Sequence, residues 1–189
     1  LLVIAITRGV SAAIRHCELT HLDRQPIDLE RARLQHRQYE ELLESLGCSL
    51  ISLPADDTLP DCVFVEDTVI VLPEVAIVTN PGAVSRRPEV ETVAEVVAHH
   101  RPLARIQAPG TIDGGDVLVT GWDIFIGRSE RTNDAAVEQV RNLTAPLGYR
   151  VVPVPVHGCL HLKSAVTAAA DGLLLINRQW CDTTPFAGY

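Results

Sequence analysis

Methionine is missing from all 189 residues, position 1 included, so the chain does not begin at a native start unless it has been processed, and a fragment of a longer protein is expected. Lysine is almost missing as well: Lys163 is the only one, in a chain whose formal net charge is −8. That acidic balance argues against nucleic acid or an anionic membrane as partner. No apolar run is long enough to span a bilayer. Leu1–Ile6 lacks a basic leader and a small-residue cleavage site, so it reads as a core strand and not as a signal peptide. Cysteine occurs five times (Cys17, Cys48, Cys62, Cys159, Cys181), an odd number without CxxC spacing. This pattern points to reduced thiols in a cytosol, not to a disulfide framework or a zinc site.

What is present is a well-supplied apolar core and a repeat. At 47% hydrophobic and 21% charged residues, the chain describes one domain with no need of a second. Leu1–Thr7 reads as a strand, 29–46 as a helix and 48–53 as a strand. Hairpins follow at 68–79 about Pro73-Glu74, at 117–126 about Gly121-Trp122 and at 165–176 about Asp171-Gly172. Helices at 86–100 and 133–147 and strands at 103–108 and 150–156 separate them. The turns recur at spacings of 121−73=48 and 171−121=50 residues. Each unit reads hairpin, helix, strand, which cannot bury its own apolar face and must pack on its neighbours. A ring of such units resembles a propeller.

Pro60–Asp67, PDCVFVED, sets Asp61, Glu66 and Asp67 among apolar residues, where carboxylates are costly unless they meet a cation or hydrogen-bond donors. In a straight strand Asp61 and Asp67 stand roughly 20 Å apart, so converging on one ligand requires a bend here. A compact cation is one reading; a polar turn after Pro60, with Glu66 and Asp67 capping the next segment, is the other. The repeat aligns further polar residues. Glu66 and Asp67, then Asp113, then His161 fall just before the first hairpin strand of successive units, and Arg86 and Arg131 both stand at the start of a helix. About an axis, equivalent positions would line one central cavity. A cation at a helix N-terminus opposes the macrodipole by roughly 0.3–1 kcal/mol, so an anionic partner is expected for each arginine.

PDCVFVED, PGAVSRRPE (81–89), PGTIDGGDV (109–117), GRSERTN (127–133) and LHLKS (160–164), in this order, resemble the dimethylarginine dimethylaminohydrolase family of the pentein superfamily. The resemblance implies an α/β propeller of ββαβ units, five in a complete ring and under four here. It implies hydrolysis of asymmetric dimethylarginine or monomethylarginine to citrulline and dimethylamine or methylamine through a covalent cysteine intermediate, with no cofactor or metal and a small-molecule substrate as partner. By the same resemblance His161 is the catalytic histidine and Asp113 its orienting acid. Asp61, Glu66 and Asp67 hold the substrate's cationic groups, Arg86 and Arg131 its α-carboxylate, and the Leu19 backbone its amino group.

In that family the nucleophilic cysteine lies near the C-terminus of the full chain, and none of the five here matches it. The 189 residues alone are therefore expected to be inactive. Within the superfamily an arginine deiminase or amidinotransferase is the runner-up, and a non-catalytic pentein that binds a guanidino ligand or a protein is the reading from another class. His99 and His100 read as a helix C-terminus. His157 and Lys163 receive no role.

Overall fold

The structure, a computed structural model, describes residues 3–189; Leu1 and Leu2, the first part of the expected opening strand, lie outside the described residues. Chain packing divides it into two compact units, 1–65 and 66–189. In the first, strand β1 (Val3–Arg8) leads through helix α1 (Leu29–Ser45) to strand β2 (Cys48–Leu53), which pairs parallel to β1 from Val3↔Cys48 to Arg8↔Leu53. Asp28 starts α1 by accepting the Arg31 N–H on its side chain, which satisfies one otherwise unpaired helix-terminal donor. Glu40 on α1 accepts the hydroxyls of Thr7 and Ser52, fastening helix to sheet.

The second unit carries the repeat. β3 (Val69–Val71) and β4 (Ala76–Val78) form an antiparallel hairpin, α2 (Val90–Val97) follows, and β5 (Leu103–Arg105) returns parallel to β4. The same order recurs in β6 (Val117–Thr120), β7 (Asp123–Arg128), α3 (Asp134–Thr144) and β8 (Arg150–Pro155). A single helical turn, α4 (Leu162–Ala165), then precedes a third hairpin, β9 (Val166–Ala170) and β10 (Leu173–Ile176). The mixed α/β fold of ββαβ repeats is thus present as expected. Gly121 and Gly172 hold the second and third hairpin turns at positive φ, which costs other residues strain.

Val90, Val93, Ala94 and Val97 bury one stripe of α2 at helical spacing. One cluster, built on Ile70, Ile77, Ile112, Ile124, Ile126 and Val140, joins the first two repeats; a second, built on Leu118, Phe125, Val154, Leu162 and Val166, joins the second to the third hairpin. Several expected boundaries move, among them the end of α2, which falls at Val97 and not about residue 100. The helix expected from Arg86 is a 3₁₀ segment over Val84–Glu89 and becomes α-helical only after Pro88, whose missing N–H is tolerated in a first turn but not further in. The strand expected to reach Ala108 ends at Arg105, after which Ile106 N–H still bonds to Val78 O.

Candidate active site

Pro60–Asp67 does bend. It runs through turns into a 3₁₀ segment, Val65–Asp67, that turns Asp67 inward and leaves Glu66 exposed. Asp67 is 7% exposed and uses both oxygens: Oδ2 takes Arg86 Nη1 at 2.7 Å and Oδ1 accepts the Gly115 N–H at 2.8 Å. Arg86, equally buried, donates its Nε and Nη2 to Glu89 Oε2 at 3.1 and 2.9 Å. Burial works against the Arg86 charge, but Asp67 and Glu89 more than offset it and hold the guanidinium protonated. The anion expected beside this arginine is therefore supplied at least in part by the chain itself.

Asp113 stands one residue before the Gly114–Asp116 turn and is wholly buried. Its Oδ1 accepts the Gly82 N–H at 2.9 Å, and its Oδ2 lies 3.2 Å from His161 Nε2 and 3.9 Å from Arg131 Nη1. The other ring nitrogen, Nδ1, is 4.0 Å from Asp67 Oδ1. Such closeness depends on glycine: a Cβ at Gly115 would stand 2.4 Å from His161 Nδ1, and one at Gly114 would stand 2.0 Å from Glu66 O. Burial lowers the His161 pKa, yet the Asp113 bond and then the charges of Asp67 and Asp116 raise it above its ordinary value. For Asp113, burial raises the carboxyl pKa, but the His161 bond and the Gly82 N–H bring it below the ordinary value.

The raised histidine has a consequence for stability. A ring whose folded pKa lies above the unfolded value of about 6.5 contributes stability that is complete below that pH and is lost as pH rises through the folded value. Urea unfolding of the full-length protein is expected to show this loss above about pH 6.5, and His161→Gln is expected to remove that part of the profile. Identical profiles in both proteins would mean the ring is not held charged.

Of the remaining expected site residues, Glu66 meets Lys163, whose Nζ lies 2.6 Å from Glu66 Oε1 at the surface. Arg131 is 8% exposed, just ahead of Asn133, which starts α3 by accepting the Ala136 N–H. In the first unit, Asp61 is buried and both its oxygens accept the Glu18 N–H, at 3.3 and 3.0 Å, next to half-exposed Leu19. The structure thus gathers Asp67, Arg86, Asp113, Arg131 and His161 within 66–189. Two partners escaped sequence reasoning: Glu89, whose only signal was its i,i+3 spacing from Arg86, and Asp116, the last residue of TIDGGD.

Around His161, the buried carboxyl groups of Asp67, Glu89, Asp113 and Asp116 outnumber the basic side chains of Arg86, Arg131 and His161 itself by four to three. The surplus suits a cation. Asp67, Asp113 and His161 bring ligand atoms within 4.8 Å of one another, close enough to share one, although Arg86 already supplies a positive charge at Asp67. No thiolate is offered by Cys159 or Cys181, since burial raises both thiols above their ordinary value.

The fold and these residues have known counterparts. Residues 12–177 match the family model described as N,N dimethylarginine dimethylhydrolase, eukaryotic. An N(G),N(G)-dimethylarginine dimethylaminohydrolase of Streptomyces coelicolor is 45% identical over 172 residues, covering 90% of this chain and 67% of that protein. Its namesake from Pseudomonas aeruginosa is 34% identical over 164 residues, covering 86% of this chain and 65% of that protein. A solved structure of the Pseudomonas aeruginosa enzyme, a mutant complexed with citrulline, superposes with a TM-score of 0.88 at 33% identity, over 93% of this chain and 69% of that one. An amidinotransferase of Microseira wollei, at 15% identity and a TM-score of 0.73, shares the fold. The chain spans about two thirds of the length of the curated relatives named here. With the motif blocks, the ββαβ repeats and the match over 12–177 all in agreement, the chain belongs to the dimethylarginine dimethylaminohydrolase family of hydrolases.

Proposed function

We propose that the protein hydrolyses Nω-methylated arginine, asymmetric dimethylarginine or monomethylarginine, to citrulline and dimethylamine or methylamine, in the cytoplasm and without a cofactor. The observation that carries this reading is the surplus of buried carboxylates around a histidine whose pKa is raised. A methylarginine offers a guanidinium and an ammonium to acids and a carboxylate to arginines, which bind it bidentately. In this reading Asp61, Glu66 and Asp67 hold the cationic groups, the Leu19 backbone meets the amino group, and Arg86 and Arg131 together take the carboxylate. A guanidinium carbon is poorly electrophilic, so a cysteine thiolate that these 189 residues do not supply attacks it and forms the C–S bond. His161, held by Asp113, protonates the departing methylamine and then deprotonates the water that hydrolyses the S-linked intermediate. Citrulline leaves and the thiolate is regenerated.

The test is citrulline formation by the full-length protein with each methylarginine, repeated with a decarboxylated guanidine. Arg131→Ala is expected to raise KM for methylarginine on the order of tenfold or more, as befits loss of a charge-assisted pair, and to change the decarboxylated compound far less. Equal losses on both would remove the carboxylate from Arg131. No citrulline from any methylated arginine would overturn the reading as a whole.

A further inference from the structure

Asp116 takes no part in the chemistry just described, yet it is wholly buried. Its Oδ1 accepts the Leu162 N–H at 2.9 Å, and its Oδ2 accepts the hydroxyls of Ser129 at 2.6 Å and Thr132 at 2.7 Å. Each of these partners is one step from a residue of the site. Leu162 follows His161 in the chain; Ser129 Oγ accepts the Arg131 N–H at 3.0 Å; Thr132 Oγ1 accepts the Asp113 N–H at 3.3 Å. Gly127 makes room for the carboxylate, since a Cβ there would lie 2.6 Å from Asp116 Oδ1 and 2.8 Å from Leu162 Cβ. We propose that Asp116 is a positioning residue whose single carboxylate sets His161, Asp113 and Arg131 in mutual register, coupling proton transfer to the grip on the substrate's carboxylate. The coupling rests on the roles given above to His161 and Arg131.

Three donors on one anion make charge-assisted bonds with fixed directions, and a buried carboxylate leaves none of them free to drift. Burial raises the Asp116 carboxyl, and the Ser129, Thr132 and Leu162 donors only partly offset that. An amide in its place presents one acceptor and one donor. The hydroxyls of Ser129 and Thr132, already accepting from Arg131 and Asp113, would then have to turn round and accept again. The charge beside His161 would be lost as well, leaving Asp113 at Nε2 and Asp67 at Nδ1, with Arg86 on Asp67 and Arg131 near Asp113, as the charged groups facing the ring.

Asp116→Asn in the full-length protein, with the His161 imidazole titrated by NMR without substrate and turnover measured on dimethylarginine, tests this. The His161 midpoint is expected to move to lower pH, kcat to fall on the order of 10²-fold, and KM to rise. Ser129→Ala, which cuts the arm to Arg131 and one of the three donors on Asp116 while leaving Leu162 and Thr132 in place, is expected to raise KM more than it lowers kcat and to move the His161 titration far less than Asp116→Asn does. Thr132→Val, which cuts the arm to Asp113, is expected to lower kcat and leave KM. If Asp116→Asn does not fold, these two single-arm variants decide. An unmoved His161 titration in folded Asp116→Asn, or the same pattern from both arms, overturns the proposal. Because the titration needs no substrate, a wild-type protein that forms no citrulline would overturn the function alone and leave this test readable.

Discussion

In the full-length protein, His161→Ala is expected to lower citrulline release from methylarginine on the order of 10²–10⁴-fold or more while the protein remains folded. The size follows from the proposed double use of one ring, as acid for the amine and as base for water. Its environment supports both tasks: Asp113 stands at Nε2, Asp67 faces Nδ1, and the raised pKa keeps the proton available near neutrality. The fold should survive because Asp113 keeps the Gly82 N–H and Arg131 nearby, and Asp67 keeps Arg86 and the Gly115 N–H. Circular dichroism and citrulline assay on the same sample check both halves. A folded variant that works at nearly the wild-type rate would remove His161 from the chemistry.

Arg86→Ala is expected to produce the largest loss of stability among the site's side chains, about 3–5 kcal/mol, because it leaves buried carboxylates without their cation. Glu89 is 2% exposed and Asp67 7%, so water does not reach either as a substitute. Arg105→Ala is the control: its pair with Glu91 has similar distances but is largely exposed, and its loss should cost less than about 1 kcal/mol. Adding Glu89→Gln to Arg86→Ala should restore part of the loss by removing one stranded charge. Urea midpoints of the four proteins decide; an Arg86→Ala midpoint no lower than that of Arg105→Ala would mean the triad contributes no net stability. A KM effect from Arg86→Ala would have to be read after this correction, since the same change disturbs Asp67.

The repeat was legible because hairpin turns announce themselves: Pro73-Glu74, Gly121-Trp122 and Asp171-Gly172 interrupt apolar runs at nearly constant spacing, and the observed strands β3, β4, β6, β7, β9 and β10 flank them. Register within the repeat also brought neighbours in space forward, since Asp67, Asp113 and His161 occupy corresponding positions and lie side by side. The finer connections were not legible. An arginine at the start of a helix looks the same in sequence whether its partner is a ligand or a neighbour; only the 3₁₀ turn ending at Glu89 folds that glutamate back onto Arg86. Lys163 and Glu66 are 97 residues apart, a pairing no local pattern can announce. Asp116 was hidden by its motif, because in GGD the glycines explain themselves and the acid passes for a turn residue.

Three backbone amides tie the repeats to one another. Gly82, in the first repeat, donates to Asp113 of the second; Gly115, in the second, donates to Asp67 ahead of the first; Leu162, ahead of the third hairpin, donates to Asp116 of the second. Stacked repeats often open one at a time, since each meets its neighbours through an interface of modest strength. Here a repeat that opened alone would abandon at least one charge-assisted bond to its neighbour and expose a carboxylate already desolvated. The polar centre therefore acts as a clasp against partial unfolding: in hydrogen exchange these three amides would belong to one cooperative unit and exchange together, at the rate of its global opening.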